Sequence, residues 1–461
     1  MNFNSVGAAH INYLKTIVPD ERLSTGESVL DLHAKDQSKH PAVRPEAVIW
    51  PHTADEVAAV VKYANDNRIP IVGWGSGSSL EGNPIPVKGG IVLDFARMNR
   101  ILDIRAEAFQ ADVEPGVIYQ DLNEKLRHTG LFFPPDPGAR ATLGGMIANN
   151  ASGTRTVYYG STKDYVLRLS VVLANGEIIQ LGNQASKTSS GYDLIRLFVG
   201  SEGTLGIVVG ATVRLVGLPV EFSAAVTTFP SVEAAGKAVF EIMRSGLNPA
   251  ALELLGPECI QLMSEAENLK LKVSPTLIME FHGTTTSQLA EVLEMAEEIC
   301  KSEGCQMFES GVGRSERDRI FKARHALGEI IIRKHPDCDI LVMDVAVPIT
   351  AYPELIATIR EKLGATDLTS YTFSHAGNGN VHLNIVGQKD NREQWELINQ
   401  ISQDLVYKTL ELGGTATGEH GVGLGKRKYM PAEHGASLEW MKRVKTLFDP
   451  NGILNPGKIF P

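Results

Sequence analysis

Glycine in this chain is gathered into short clusters, and the clusters say where backbone must turn sharply or come close to something. They are Gly73-Trp74-Gly75-Ser76-Gly77-Ser78-Ser79, Thr142-Leu143-Gly144-Gly145 onward to Gly153, and Gly200-Ser201-Glu202-Gly203-Thr204-Leu205-Gly206, with further glycines around His375 and His420. Forty-four glycines in 461 residues is near one in ten, against a usual share of about 7%. No fixed period relates them, so they are loops rather than a repeat. A residue without Cβ lets another group approach the main chain.

The length suggests two or three domains and a large buried core. With 44 Lys and Arg against 54 Asp and Glu, the formal charge is −10, which disfavours nonspecific nucleic-acid or anionic-membrane binding. Four cysteines, Cys259, Cys300, Cys305 and Cys338, are too few for a disulfide framework or an iron-sulfur site. The first 25 residues lack an apolar signal region, and no stretch reaches about 18 apolar residues. The expectation is a cytoplasmic protein without signal peptide or transmembrane segment; peripheral association with the inner face of the membrane stays open.

Thr53 to Asn67 reads as a capped helix, with Thr53 before Asp55 and Glu56 and with Val57, Val60, Val61 and Ala64 on one face. A short strand at Ile69 to Val72 then enters the first glycine loop, and a second strand at Ile91 to Phe95 leaves it. Leu167 to Leu173 and Glu177 to Leu181 flank Asn175-Gly176, a type I′ hairpin signal. After Pro219 the texture changes to longer helices between single strands. Strands are expected at Thr276 to Phe281, Ile340 to Val347 and within Tyr371 to Ile385. Helices are expected at Ser287 to Glu303, Pro353 to Leu363 and Asn391 to Leu412. An antiparallel sheet covered by helices fits this half better than a doubly wound sheet.

The first loop is not a dinucleotide fingerprint, because its spacing is G-x-G-x-G and no helix opens from it. It can still form a nest of backbone N–H groups, with Ser76, Ser78 and Ser79 as added donors. Phe132 to Gly138 is stiffened by prolines and leads into Thr142 to Gly153, which has almost no bulky side chain. A planar ring could lie against that backbone.

Pro51 to Val57, Gly75 to Gly82, Pro134 to Gly138, Asn150 to Gly153 and Gly200 to Gly206 resemble the FAD-binding domain of the vanillyl-alcohol oxidase and p-cresol methylhydroxylase superfamily. The C-terminal half is similar to the FAD-linked D-lactate dehydrogenases and the glycolate oxidase D subunit, with D-2-hydroxyglutarate dehydrogenases as cousins. The resemblance implies an α+β fold: a two-part p-cresol methylhydroxylase-type FAD-binding domain and a C-terminal cap or substrate domain. The domains expected are an N-terminal segment 1–40, an FAD domain 41–219 and a cap domain 220–461, with the last ~40 residues packing back on the FAD domain. It implies FAD contacts at Gly73, Gly75, Ser76, Gly77, Ser78, Ser79, Pro135, Asp136, Thr142, Gly144, Gly145, Asn149, Ala151, Ser152, Gly153, Glu202, Gly203, Gly206, Ile207 and Asn455. Some relatives tether flavin through a His or Cys near the first loop. None occurs between Thr53 and Arg127, bordered by His52 and His128, so noncovalent FAD is expected.

His375-Ala376-Gly377-Asn378-Gly379-Asn380-Val381-His382 puts two imidazoles at neighbouring strand ends, and Glu419-His420 follows in a second glycine frame. Two His and one Glu are a recurrent ligand set for catalytic zinc, but residue types alone balance evenly between that and hydrogen-bonded histidines. The resemblance implies one divalent metal, zinc or manganese, on His375, His382 and Glu419, and His420 as the base. It also implies substrate contacts from Arg324, on a helix with Arg317 and Arg319, and from Asn384. The hydroxyglutarate enzymes carry Lys two residues before the position of Asp344, where Val342 stands here, and Gly328 replaces a Thr. Both losses favour a small 2-hydroxy acid, D-lactate or glycolate, over a dicarboxylate. Quinone, cytochrome or an electron-transfer flavoprotein are open as electron acceptors, and a homodimer is open as the assembly. A flavin-free metallohydrolase would leave the glycine loops unexplained; a turnover-free FAD-binding subunit would lack the metal and base set.

Overall fold

The computed structural model describes residues 2–267 and 272–461; the side chains at 267, 314–320, 322, 323 and 325, and with them Arg317 and Arg319, lie outside the described ones. The chain divides into two compact units. The first holds residues 1–152, 161–218 and 419–461, and the second holds 153–160 and 219–418.

Unit 1 contains two main sheets. The smaller has the spatial order Leu23–Ser24, Ala47–Ile49, Ile91–Asp94, Ile71–Trp74. Its last three strands run parallel, and all nine apolar positions from Ala47 to Ile49, Ile71, Val72, Trp74 and Ile91 to Leu93 are buried, as a sheet covered on both faces requires. The helix Ala54–Asp66 covers it with Val57, Val60, Val61 and Ala64, and Thr53 caps it by accepting from Glu56 N–H. Ile453 and Leu454 extend the edge: Ile71 N–H donates to Ile453 O and Asn455 N–H to Ile71 O, both at 2.8 Å. The larger sheet is antiparallel, in the order Ile101–Arg105, Gln110–Val113, Ile207–Arg214, Val166–Val172, Ile178–Gly182.

One turn differs from the sequence expectation. At 173–177 only Gly176 has positive φ, at 83°, whereas a type I′ turn needs two such residues. Gly176 N–H closes on Leu173 O and Leu173 N–H on Glu177 O, both at 2.9 Å. A tight turn followed by a left-handed glycine is the three-residue hairpin loop with a bulge.

Unit 2 is built on a seven-stranded sheet. Its order is Met307–Val312, Glu221–Thr228, Thr276–Gly283, Ala251–Leu255, Ser370–His375, Asn380–Gln388, Cys338–Ala346. Every pairing in it is antiparallel. Alternation along these strands gives the sheet two unlike faces. Leu252, Leu254, Leu277, Met279, Phe281, Met343, Val345, Val381, Leu383 and Ile385 fall on one of them, all buried. The helices Val232–Arg244, Thr286–Ser302, Tyr352–Gly364 and Arg392–Glu411 supply further apolar residues to this unit. Among the described residues no helix is long and apolar enough to cross a membrane.

Candidate active site

The other face of the seven-stranded sheet carries a buried apolar cluster that includes Ala251, Leu255, Ile278, Tyr371 and Val386, and set among these are buried polar residues. Directly opposed residues of an antiparallel pair point to the same face, so the register carries this face from strand to strand. Glu280 lies opposite Ala251 and, two residues along, Glu253 opposite His375. His375 lies opposite Asn380, and His382 opposite both Phe373 and Asp344. Asn384 lies opposite Val342 and Tyr371. Glu253, Glu280 and Asp344 are each 0% exposed. An uncompensated carboxylate at such a position would cost several kcal/mol, and each of the three faces a histidine.

Glu253 stands between an imidazole and a guanidinium. Its Oε1 is 2.7 Å from His375 Nδ1, and its Oε2 accepts from Arg324 Nε at 2.8 Å and lies 2.7 Å from Nη2. Burial alone would raise this carboxyl, but His375 and Arg324 outweigh it and hold it below the ordinary carboxylate range. An ionised carboxylate only accepts, so His375 Nδ1 carries the proton. Arg324 comes from the helix Arg314–Lys334 and also covers the Phe373 ring, with Cζ 4.9 Å from its centroid.

Asp344 supports the second histidine. It accepts from Asn380 Nδ2 at 2.7 Å and from Thr417 Oγ1 at 3.0 Å, and His382 Nδ1 is 3.8 Å from its Oδ1. The His375 and His382 rings lie edge to face with centroids 5.0 Å apart and an 88° interplanar angle. Each therefore has Nδ1 toward a carboxylate and Nε2 for another partner, the arrangement found behind metal-bound histidines. The donor chemistry fits a divalent cation. Asn384 is buried, and its Oδ1 has no hydrogen-bond partner, a group fit for a bound polar molecule.

A third pair has the same construction. His282 Nε2 is 2.5 Å from Glu280 Oε1, and Tyr159 Oη is 2.7 Å from His282 Nδ1. Sequence reading missed Glu253, Glu280 and the supporting part of Asp344. The available signal was a lone acid inside an apolar run: Leu252-Glu253-Leu254, Met279-Glu280-Phe281 and Met343-Asp344-Val345.

In unit 1 the loops expected to meet flavin are built by close approach. A Cβ on Gly75 would stand 2.3 Å from Thr142 Oγ1, and one on Gly144 would stand 2.7 Å from Pro115 Cβ. Gly206 is pressed on Val171, and Gly77, with φ of 65°, on the Trp74 ring. Gly203 also has positive φ, with open space at its Cβ position, while Gly73 and Gly145 make looser contacts. Ser76 and Ser78 hydroxyls lie 3.3 Å apart; Ser79 O accepts from Gln37 N–H. Pro135 and Ile207 are buried, and Asp136 is half-buried.

Several polar side chains here already serve the fold. Thr142 caps the helix Leu143–Asn149 by accepting from Gly145 N–H. Glu202 Oε1 accepts from Val422 N–H at 2.7 Å, and Oε2 from Gly423 N–H at 2.9 Å. Its burial raises its pKa, against the pull of those amides. Asn455 Nδ2 donates to Asn83 O and Glu202 O, and Ala151 O accepts from Thr162. Ser152 Oγ donates to Glu419 Oε2 at 2.9 Å, and Asn149 Nδ2 reaches His420 O at 3.3 Å. Gly153 opens the short 153–160 segment of unit 2. His52 and His128 are exposed.

Comparison with known proteins agrees with this architecture. Residues 45–182 match the FAD binding domain, and residues 218–459 match the C-terminal domain of FAD linked oxidases. The chain is 38% identical over 453 residues to a probable mitochondrial D-lactate dehydrogenase of Danio rerio, covering 97% of this chain and 91% of that protein. It is 37% identical over 420 residues to the glycolate oxidase subunit GlcD of Bacillus subtilis, covering 90% and 89%. Among solved structures, 4-ethylphenol oxidase from Gulosibacter chungangensis superposes with a TM-score of 0.79 at 18% identity, covering 100% of this chain and 99% of that one. p-Cresol methylhydroxylase gives 0.76 at 19%, covering 98% and 97%; both share the fold. The chain belongs to the FAD-linked oxidases, carrying the FAD-binding domain and the C-terminal domain of that family.

Proposed function

We propose that this chain oxidises a small D-2-hydroxy acid, D-lactate foremost, to the 2-oxo acid with the help of a divalent metal. At the coarser level it is an FAD-linked oxidoreductase of the D-lactate dehydrogenase and glycolate oxidase kind. The observation that carries the finer reading is the pair of crossed imidazoles, His375 and His382, each with Nδ1 toward a buried carboxylate. Zinc or manganese would be held by His375, His382 and Glu419. Noncovalent FAD would supply the hydride acceptor for the C2 hydrogen, and the metal would supply a charge that lowers the pKa of the substrate hydroxyl.

The chain's own groups do the rest. His420, in its neutral form, takes the hydroxyl proton. Arg324 offers a guanidinium to the substrate carboxylate, and the unsatisfied Asn384 Oδ1 offers an acceptor to a hydroxyl. The cross-strand neighbour of Asn384 is Val342, an apolar group suited to the methyl of lactate and unable to pair a distal carboxylate. Glycolate is the second substrate reading, because identity to GlcD is nearly equal to that of the D-lactate dehydrogenase. A cytochrome is the acceptor named for an Arabidopsis thaliana relative, 37% identical; a quinone or electron-transfer flavoprotein would serve the same step.

The purified protein should be yellow, should release its flavin on acid precipitation, and should lose activity to a chelator. Anaerobic D-lactate should bleach the flavin, with glycolate slower and D-2-hydroxyglutarate slowest. A flavin that no 2-hydroxy acid bleaches would sink the reading.

A further inference from the structure

Glu253 has no part in the reaction just described, yet it touches two of the groups assigned to it. Its two oxygens divide the contacts: Oε1 meets His375 Nδ1, and Oε2 meets the Arg324 guanidinium. The side chain is fully buried in the strand Ala251–Leu255, between Leu252 and Leu254. No solvent can reach it to replace either partner, so both contacts must be made by protein.

We propose that Glu253 is the positioning residue shared by the two halves of the candidate site. Through Oε1 it keeps the proton of His375 on Nδ1 and leaves Nε2 as a lone-pair donor for the metal. Through Oε2 it fixes the arginine that would receive the substrate carboxylate. The inference rests on the metal reading above and deepens it, by tying metal affinity to a residue that need not touch the metal.

Two donors face this carboxylate, which explains why an amide cannot replace it. Glutamine has one acceptor oxygen and one NH2 group. If the oxygen serves His375, the NH2 faces the guanidinium; if it serves Arg324, the NH2 faces Nδ1–H. One contact is lost in either orientation, and a buried arginine is left without its counter-charge. Aspartate keeps the charge but is one methylene too short to span both partners.

Zinc affinity, read by competition with a chromophoric chelator on flavin-loaded protein, separates the possibilities. Glu253→Gln should bind zinc 10- to 100-fold more weakly, the range for loss of an outer-shell carboxylate, while retaining FAD in wild-type ratio. Because a lone buried arginine could prevent folding, the double variant Glu253→Gln/Arg324→Met removes the ion pair as a unit and should show the same loss. Arg324→Met alone keeps the carboxylate on His375 and should bind zinc as tightly as wild type or more so. Wild-type zinc affinity in the double variant would overturn the role of Glu253 and leave the metal reading standing. No zinc binding by wild type would remove the metal reading and this inference with it.

Discussion

The glycine loops of unit 1 and the buried polar residues on one sheet face of unit 2 are two different ways of making a site. The loops work through the absence of side chains: Gly75 and Gly144 let main chain and capping groups meet at distances that a Cβ would forbid. The sheet face works through side chains brought together by strand pairing, from residues as far apart in sequence as Glu253 and His375. A site made of backbone leaves its mark in local composition. One made across strands leaves only single residues out of pattern, and becomes a site once the register is known.

The comparison is broken most easily at His420. If chemistry belongs to imidazoles and cofactor retention to backbone, His420→Ala should slow anaerobic flavin reduction by D-lactate about 10²- to 10⁴-fold. FAD content should stay at the wild-type ratio, since the hydrogen bond from Asn149 is accepted by the His420 main-chain oxygen, which the substitution keeps. Stopped-flow reduction rates equal to wild type would remove the assignment of the base. Loss of FAD alongside the rate would mean that the two kinds of site are not separable.

The converse test is Gly75→Ala. The new methyl would meet Thr142 Oγ1, which caps the helix Leu143–Asn149. Overpacking of this kind costs about 1–3 kcal/mol, and loss of the cap about 1 kcal/mol more. Unit 1 should therefore lose stability in urea and retain less FAD. Zinc affinity should fall less than FAD retention, because His375 and His382 stand in unit 2 and only Glu419 of the proposed ligands belongs to unit 1. A variant that keeps full FAD occupancy and stability would show that this close approach does not shape the flavin loops.

Much of the fold was legible because its signals are local. Thr53 with Asp55, Glu56 and the four buried aliphatics after them gives the helix Ala54–Asp66, and alternating strands and helices after Pro219 give a helix-covered antiparallel sheet. The hairpin at Asn175-Gly176 was legible in place but not in type, since a left-handed glycine can serve either turn. The candidate site was legible where residue types cluster, at His375, His382 and Glu419-His420. Glu253 was not, because an acid amid leucines shows that a charge is buried without naming its partner. Arg324 shows the limit from the other side: its chemistry was plain, but its ion pair with Glu253 depends on where a helix lies against a strand. Thr142, Glu202 and Asn455 looked like polar groups of a cofactor loop, and their side chains are spent on backbone amides and carbonyls.

That last point sharpens the comparison through Lys458. Its Nζ is buried and donates to Ile85 O at 2.6 Å and Asn455 Oδ1 at 3.1 Å. Burial is the main cause lowering its pKa from 10.5 to about 8, opposed by the charges of Glu202 and Asp36. The unfolded chain binds the proton more tightly than the folded one between these values. Stability contributed by this group therefore rises with pH from about 8 to about 10.5 and is lost as pH falls through about 8. The slope within the window is at most about 1.4 kcal/mol per pH unit. Lys458→Met cannot titrate, so subtracting its urea-unfolding profile from that of wild type should leave this rise. Parallel profiles from pH 7.5 to 10 would mean that the ammonium is not held out of water, and that polar side chains near Asn455 remain available to a cofactor.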